Sequence, residues 1–357
     1  MSDNQSFTGT RPVSDQHAFD QATLSAWLQL NLPGFEGPLS VEMFKGGQSN
    51  PTYKLITPGR AYVMRAKPGP VAKLLPSAHA IEREYRVMSA LRGTGVPVAQ
   101  MHVLCEDESV IGRAFYVMEC VDGRVMWDQS LPGLDRAGRA AIYDEMNRVL
   151  AALHTVRPDE VGLDGYGKPG NYFERQIGRW SKQYVASITQ PIPEMDRLMA
   201  WLPQNIPAMA RDESLVSIVH GDYRLDNLIF HPTEARVLAV IDWELSTIAD
   251  PLLDLAWFCN GIRDDRFPGH IPEKALYNVT AWPTRQELMT HYAAGTGRDM
   301  ADFDYYLLLA MFKGGCILEY KVAQAAKGIL SRETGILFDR LVRGNFAEAE
   351  KLIRLIG

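Results

Sequence analysis

The sequence contains few cysteines, and their spacing gives no sign of a disulfide framework or a zinc site. Four are present among 357 residues: Cys105, Cys120, Cys259 and Cys316. None belongs to a CxxC pair, which excludes the common zinc-binding and redox patterns. Scattered cysteines of this kind are more typical of a reducing compartment than of a disulfide-stabilised domain. We therefore expect a cytoplasmic protein.

The chain also lacks long apolar runs and an excess of basic residues. Its longest apolar stretch, near Tyr305–Phe312, is far too short to span a bilayer. A net charge of -6 and the absence of a long basic run argue against a nucleic-acid partner. The first twenty residues are polar and lack the apolar core of a signal peptide. We expect residues 1–20 to form a flexible tail, and neither a membrane nor a nucleic acid as partner.

The first third of the chain has the pattern of a small antiparallel sheet followed by a helix. Residues 40–66 alternate between apolar and polar side chains, with turn signals at Gly46-Gly47 and Pro58-Gly59. A further apolar strand, AFYVMECVDG, leads into a glycine-containing link at position 123. Strands first and helices afterwards indicate an α+β fold. We predict a small lobe over residues 21–120 and a larger, mainly helical lobe over 121–357.

The predicted helix between these strands carries a carboxylate on its apolar face. That face repeats at helical spacing and consists of Ile81, Tyr85, Met88 and Leu91. Glu84 falls on the same face, where a carboxylate is costly unless a cation meets it. The strand YVMRAK places Arg65 and Lys67 on one side, so that either could face Glu84. The alternative is a solvated basic strand end and an unpaired surface glutamate.

The rest of the chain is predicted to be mainly helical. Periodicity indicates helices over 139–156, 171–188 and most of 303–356, with short strands over 216–243. The proline-rich patches near 191–207 and 267–283 are interpreted as loops.

Residues 219–232, VHGDYRLDNLIFHP, place charged and amide side chains directly before an apolar strand. Asn227 begins this strand, the chain turns, and the returning strand ends at Asp242, so we expect Asp222, Asn227 and Asp242 to meet around one point. Carboxylate and amide oxygens are hard ligands that suit magnesium, and carboxylates so close would repel one another without a cation. The set also suits phosphoryl transfer, in which one carboxylate orients the attacking hydroxyl while an Asn and an Asp hold metal against phosphates.

H-G-D-x-x-x-x-N followed by I-D resembles the signature of the aminoglycoside phosphotransferase and choline kinase family, small-molecule relatives of protein kinases. The strings GGQSNPTYKL, GYGKPGNYFERQIGRW and IDWELSTIADP are similar to the phosphotransferase-like domain that precedes some acyl-CoA dehydrogenases. The resemblance covers about residues 40 to 345 and implies a two-lobed, protein-kinase-like fold. A protein kinase itself is disfavoured, because the sequence has no A-P-E segment and no D-F-G triplet.

The resemblance implies a role for each matching residue. Asp222 would be the catalytic aspartate, Asn227 and Asp242 would bind Mg²⁺, and the backbone of Glu119 and Val121 would bind the adenine of ATP. The segment KGGQSN would cap the triphosphate through Gly46, Gly47, Ser49 and Asn50.

Arg65 departs from the family pattern. The strand cation that contacts the phosphates and pairs with the helix glutamate is usually lysine, whereas YVMR ends in arginine. Arginine keeps the charge but is bulkier and not equivalent to lysine. Either Arg65 pairs with Glu84 and takes this role, or Lys67 reaches it; we favour Arg65.

Other polar and aromatic residues near the motif are interpreted as structural. His220 is expected to pack under the catalytic loop, and Asp254 to accept backbone amides of that loop rather than to bind metal. Trp243, Trp257 and Phe258 are expected in the core.

The acceptor is assigned least specifically by the sequence. The helix NYFERQIGRWSKQY has Tyr172 and Trp180 on one side and Arg175 and Arg179 on another. In the family this region lines the acceptor cleft, and a basic, aromatic face would suit a hydroxy acid or a hydroxyacyl-CoA. An ordinary amphipathic helix explains the pattern equally well. The alternatives for the whole chain are an aminoglycoside or choline-like kinase and a nucleotide-binding module without catalysis.

Overall fold

The structure is a computed structural model that describes residues 8–45, 50–68, 80–168, 170–262, 264, 266 and 283–356. The strands within these ranges are β1 (Thr10–Pro12), β2 (Ser40–Phe44), β3 (Thr52–Ile56), β4 (Ala61–Ala66), β5 (Met101–Cys105), β6 (Phe115–Glu119), β7 (Arg124–Val125), β8 (Ser217–Val219), β9 (Leu228–Phe230), β10 (Val237–Val240) and β11 (Thr247–Ala249). The α-helices there are α1 (Gln21–Asn31), α2 (Ile81–Leu91), α3 (Arg136–Thr155), α4 (Tyr172–Ser187), α5 (Pro193–Trp201), α6 (Leu252–Cys259), α7 (Arg285–Thr296), α8 (Phe303–Ala326) and α9 (Arg332–Ile356). The α+β class expected from the sequence is confirmed.

The chain forms two compact units whose boundaries differ from the predicted lobes. The first unit comprises residues 1–129, 159–163 and 225–246, and the second comprises 130–158, 164–224 and 247–357. The predicted boundary at residue 120 therefore omits the hairpin of β9 and β10. That hairpin joins the first unit because β9 pairs with β7, which directly follows the predicted small lobe.

The first unit is built on a six-stranded antiparallel sheet in the order β1-β2-β3-β4-β6-β5. Alternate residues of β2, β3 and β4 are buried and form one core with Leu24 and Leu28 of α1. Arg65 lies on the inner strand β4, opposite Thr52 of β3 and Tyr116 of β6. Because strands flank β4 on both sides, the position of Arg65 is fixed by two registers.

The expected flexible tail over residues 1–20 contains ordered structure. Thr10–Pro12 pairs with β2, and the Thr10 hydroxyl donates to Glu42 at 2.5 Å. Val13 and Phe19 pack against the core of the first unit. A three-residue edge strand has too few residues to show an alternating pattern, which explains why periodicity did not predict it.

The second unit is mainly helical, and α8 lies at its centre. Helix α8 contacts α4, α6 and α9, and α3 packs against α7. All residues from Tyr305 to Phe312 are buried, as expected for a helix that is apolar around its whole circumference. A short antiparallel pair of β8 and β11 adds the strand that leads into His220.

The prediction of a loop over residues 191–207 is wrong for its middle part. Pro193–Trp201 forms α5, with Met195 and Leu198 buried on one face. Pro193 occupies the first helical position, where the missing N–H costs no hydrogen bond. Most of the second predicted loop, 267–282, lies outside the described residues. No helix in the described part of the chain has the length and apolarity needed to cross a membrane.

Candidate active site

Arg65 is the centre of an acidic cluster in the first unit. Its Nε lies 3.3 Å from Oε2 of Glu84 on α2, and its Nη2 lies 2.6 Å from Oδ1 of Asp242. The same Nη2 lies 3.5 Å from Oε2 of Glu244. One guanidinium therefore connects strand β4, helix α2 and the segment after β10 through different nitrogen atoms, a geometry that the single ammonium of lysine does not offer.

Glu84 is buried and contacts Arg65 and two hydrogen-bond donors. Its side chain is 1% exposed, and Asn50 Nδ2 and the Tyr116 hydroxyl donate to its two oxygens at 3.0 and 3.2 Å. Burial raises the pKa of Glu84 to about 7, while the positive charge of Arg65 acts in the opposite direction. A carboxylate in this setting is tolerated because a cation and two donors meet it.

Lys67, the alternative partner for Glu84, is paired elsewhere. Its ammonium binds Glu82, and both side chains are about a third exposed. Arg65 is thus the cation beside Glu84. On α2 itself Val87 is buried and Tyr85 is only half-buried, which shifts the apolar face slightly from the predicted one.

Only part of the predicted triphosphate cap falls within the described residues. Gly46, Gly47 and Ser49 lie outside them. Asn50 is buried, and its amide donates to Glu84.

The hairpin of β9 and β10 brings Asn227 and Asp242 together. Leu228 pairs with Val240, and the carbonyl of Asn227 accepts from the amide of Ile241 at 3.0 Å. Asn227 closes a short 3-10 turn before β9 rather than beginning the strand. Asp242 has φ 65°, a left-handed conformation that is uncommon for residues other than glycine and concentrates at functional sites. Asp222, the third residue of the predicted cluster, belongs to the second unit.

The donors of the hairpin fit a magnesium ion that keeps several ligands from water or phosphate. Asn227 and Asp242 offer an amide oxygen and a carboxylate, and the Asp242 side chain is 33% exposed. Within the part of the chain that the structure describes, no three His, Cys, Asp or Glu side chains are grouped so as to hold a metal. Magnesium commonly uses one or two protein carboxylates together with substrate phosphates, and one oxygen of the Asp242 carboxylate is bound by Arg65.

The predicted adenine-binding link lies at the end of β6. Glu119 is its last residue, and its backbone amide donates to the carbonyl of Gln100 at 2.8 Å. Val121 follows and is half-buried. A Cβ at Gly123 would lie 2.5 Å from both Ile229 Cγ2 and the Phe230 carbonyl. Glycine at this position therefore allows the link to approach the hairpin that carries Asn227.

In the second unit, Asp254 binds the backbone of the loop that leads from β8 to Asp222. Its carboxylate is buried and accepts from the amides of His220 and Gly221 at 2.6 and 2.8 Å. His154 also approaches it, with Nε2 at 3.4 Å. His220 is fully buried, and its Nδ1 accepts from the amide of Asp222. Both residues thus have the structural contacts expected from the sequence.

Sequence reasoning misjudged one residue that contacts Asp222 and missed another that contacts the peptide group before it. The indole Nε1 of Trp257, expected in the core, is half-buried and donates to Oδ1 of Asp222 at 2.9 Å. Lys313 of α8 donates to the carbonyl of Gly221 at 2.8 Å and lies 4.2 Å from the centre of the Trp257 ring. Lys313 could have been noticed as the one cation directly after the apolar run 305–312.

The predicted acceptor residues lie on α4. Helix α4 buries Phe173, Ile177 and Tyr184, whereas Tyr172 and Trp180 are only half-buried. The guanidinium of Arg175 donates to the carbonyl of Lys168, and that of exposed Arg179 lies 5.4 Å from the Trp180 ring.

Burial lowers the pKa of Lys313, and the charge of Arg179 acts in the same direction. The negative charges of Asp222 and Asp254 raise the same pKa. Arg179 is therefore within electrostatic range of the lysine that contacts the loop of Asp222.

Comparison with known sequences identifies a domain family and several relatives. The profile of a family described as "Phosphotransferase enzyme family" matches residues 40–288. Acyl-CoA dehydrogenase family member 10 of Mus musculus is 42% identical over 332 residues, which are 91% of this chain and 30% of that protein. Acyl-CoA dehydrogenase family member 11 of Homo sapiens is 40% identical, over 93% of this chain and 43% of that protein. The chain thus spans less than half of these relatives.

Solved structures agree with this comparison. A protein of Ralstonia eutropha, provisionally assigned as an aminoglycoside phosphotransferase, is 52% identical and covers 94% of this chain and 99% of its own, with a TM-score of 0.80. A microcompartment-associated aminopropanol kinase is 17% identical, with a TM-score of 0.60 over 93% of this chain and 98% of its own, and so shares the fold. The protein-kinase-like phosphotransferase fold expected from the sequence is confirmed.

Proposed function

Because the chain belongs to the phosphotransferase enzyme family, we propose that it is a cytoplasmic enzyme that transfers the terminal phosphate of ATP to the hydroxyl of a small molecule. The contact that carries this proposal is the hydrogen bond from Trp257 to Asp222, because it holds a carboxylate of the H-G-D-x-x-x-x-N motif in a defined rotation. A carboxylate so placed suits an acid–base or orienting role toward an attacking hydroxyl.

The first unit would supply the nucleotide side of the reaction. Asn227 and Asp242 would hold magnesium, which neutralises phosphate charge when bound. Arg65, kept in place by Glu84, would contact the phosphates. The carbonyl of Glu119 and the amide of Val121 would bind the adenine ring.

The second unit would supply the acceptor side. Arg175 and Arg179 add positive charge to the helix that also carries Tyr172 and Trp180. The charge of Arg179 also lowers the pKa of Lys313. Such a face favours an anionic acceptor, a hydroxy acid or a hydroxyacyl-CoA, over a polycationic aminoglycoside or a choline-like amine. The relatives named as acyl-CoA dehydrogenase family members support the acyl-CoA class.

The proposal is tested by ADP release with magnesium and ATP across four acceptor classes: hydroxy acids, hydroxyacyl-CoA thioesters, choline-like amines and aminoglycosides. We expect release with an anionic acceptor, and a loss of about 10²- to 10⁴-fold in Asp222→Ala. Asp212→Ala, a change of an exposed aspartate in the same unit, is the matched control. Release that persists in Asp222→Ala would refute the role of Asp222. ATP binding without release from any acceptor would instead support the nucleotide-binding module.

A further inference from the structure

Lys313 is a cation that directly follows a buried, apolar stretch of α8 in the second unit. This stretch is Tyr305–Phe312, and the side chain of Lys313 itself is half-buried. Removing an ammonium from water is costly unless the protein supplies polar partners. A methionine or leucine would fill the same space without that cost, so packing alone does not explain a lysine here.

The partners of Lys313 all belong to the surroundings of Asp222. The ammonium donates to the carbonyl of Gly221, the peptide group that directly precedes Asp222. It also lies 4.2 Å from the centre of the Trp257 ring, within the range of a cation–π interaction. The other edge of that indole donates from Nε1 to Oδ1 of Asp222 at 2.9 Å.

These contacts form a chain from α8 to the carboxylate. Lys313 fixes the backbone before Asp222 and the face of the indole, and the indole fixes the side chain. Asp254 already accepts the amides of His220 and Gly221, so the loop has an anchor that does not involve Lys313. Trp257 adds a hydrogen bond to the Asp222 carboxylate itself, and Lys313 adds one to the peptide group before it.

We propose that Lys313 and Trp257 are positioning residues. They hold the Asp222 carboxylate in the orientation needed to accept a hydrogen bond from the acceptor hydroxyl. This inference rests on the proposed phosphotransferase function and assigns two residues to it. Burial lowers the pKa of Lys313 while Asp222 and Asp254 oppose that change, which agrees with an ammonium enclosed beside carboxylates.

The kinetic test uses the full chain with the acceptor that the ADP-release panel identifies. Lys313→Met and Trp257→Phe should each lower kcat by about 10- to 100-fold, the range for losing a hydrogen bond to a charged group. The KM for ATP should stay within about 2-fold, because the nucleotide residues are untouched. Lys313→Arg keeps a cation and a donor and should restore part of the lost rate.

A double variant with Asp222→Ala distinguishes a positioning role of Trp257 from a general structural role. Trp257→Phe should add almost nothing to the loss already caused by Asp222→Ala, because both changes remove the same contact. Two controls match the substitutions in the same unit: Lys321→Met on α8 and Trp201→Phe on α5. Losses that add in the double variant, or equal losses in the controls, would overturn the inference.

A second readout does not require turnover. The Trp257 side-chain N–H signal, one of seven in an isotope-labelled protein, can be assigned by its disappearance in Trp257→Phe. It should shift in Asp222→Ala and in Lys313→Met and stay in place in Lys321→Met. A signal unmoved by Asp222→Ala or Lys313→Met would overturn the positioning role even in an active enzyme. A wild type that phosphorylates nothing would overturn the kinase function even if the signal moves.

Discussion

Charged side chains buried beside partners define the site at the scale of single residues. Arg65 is 11% exposed and touches three carboxylates, and Glu84 is 1% exposed with a cation and two donors around it. Buried charges of opposite sign are tolerated as a pair, but removing one partner leaves the other charge uncompensated and lowers the stability of the fold. Their stability effects are therefore much larger than those of ordinary surface ion pairs.

Replacing Arg65 should destabilise the first unit strongly. Arg65→Met leaves Glu84, Asp242 and Glu244 without their shared cation, and we expect a loss of about 3–5 kcal/mol in unfolding free energy. Lys67→Met is the matched control, since its pair with Glu82 is about a third exposed and should contribute less than about 1 kcal/mol. Urea denaturation of both variants measures the difference, and equal small losses would show that the Arg65 cluster is not a stabilising one.

His154 should make stability depend on pH. Burial, the largest influence, lowers its pKa, so the ring takes up a proton less readily in the folded protein than in the unfolded chain, where its pKa is near 6.5. Stability should therefore decrease as the pH falls below about 6.5, by at most about 1.4 kcal/mol per pH unit. The charged groups that influence His154 are Asp254, Asp250 and Arg298, and all three remain in a His154→Gln variant.

The comparison of wild type with His154→Gln isolates this effect. The wild type should lose stability relative to the variant between about pH 7.5 and about pH 5.5. A difference between the two proteins that stays constant over this range would show that His154 does not titrate differently on folding.

At the scale of elements, the sequence predicts best those strands and helices that are long enough to show a clear periodicity of apolar residues. Strands β2 to β4 and helices α3 and α4 follow their apolar periodicity closely, because burial of one face decides where they form. Helix α8 contains the longest apolar run of the chain and is buried all round there. Thr10–Pro12 and α5 escaped prediction, the first because it is short and the second because its prolines suggested a loop. The pairing of Arg65 with Glu84 was predictable because a carboxylate on an apolar face demands a cation.

The contacts of Lys313 and Trp257 could not be predicted from the sequence. Lys313 carries the same signal as Glu84, a charge beside an apolar run, but its partner Gly221 is 92 residues away in the chain. Trp257 lies within the apolar helix α6, so its burial was expected and the direction of its N–H was not. Contacts that depend on tertiary geometry rather than periodicity cannot be read from one sequence.

Gly123 should be essential for the contact between the link after β6 and the β9–β10 hairpin. In Gly123→Ala the added methyl meets Ile229 and the Phe230 carbonyl at 2.5 Å, so the link or the hairpin must move. We expect a loss of about 1–3 kcal/mol in stability and weaker binding of ATP. Calorimetric titration of ATP and urea denaturation measure the two effects.

Gly178→Ala is the matched control for that experiment. Gly178 lies inside α4 with no atom within 4 Å of an added Cβ. Alanine in this helix interior should stabilise the protein by up to about 1 kcal/mol and leave ATP binding unchanged. Similar behaviour of the two variants would contradict the packing role of Gly123.

At the scale of the whole molecule, the proposed roles are divided between the two units. Arg65, Glu84 and Asp242 belong to the first unit, whereas Asp222, Trp257 and Lys313 belong to the second. The kinase-like fold was predictable because its motifs are specific, and the pairing of β9 with β7 accompanies the assignment of the hairpin of β9 and β10 to the first unit. Nucleotide binding and acceptor phosphorylation should accordingly respond to different sets of substitutions.

The central claim is that this chain moves a phosphoryl group from ATP to a small-molecule hydroxyl with the help of Asp222. The most direct test follows ATP labelled in its terminal phosphate through a single turnover, with magnesium and a mixture of the four acceptor classes. We expect the label on an organic acceptor in the wild type, and a rate at least about 10²-fold lower in Asp222→Ala. Label released only as inorganic phosphate, or retained in bound ATP, would contradict the claim.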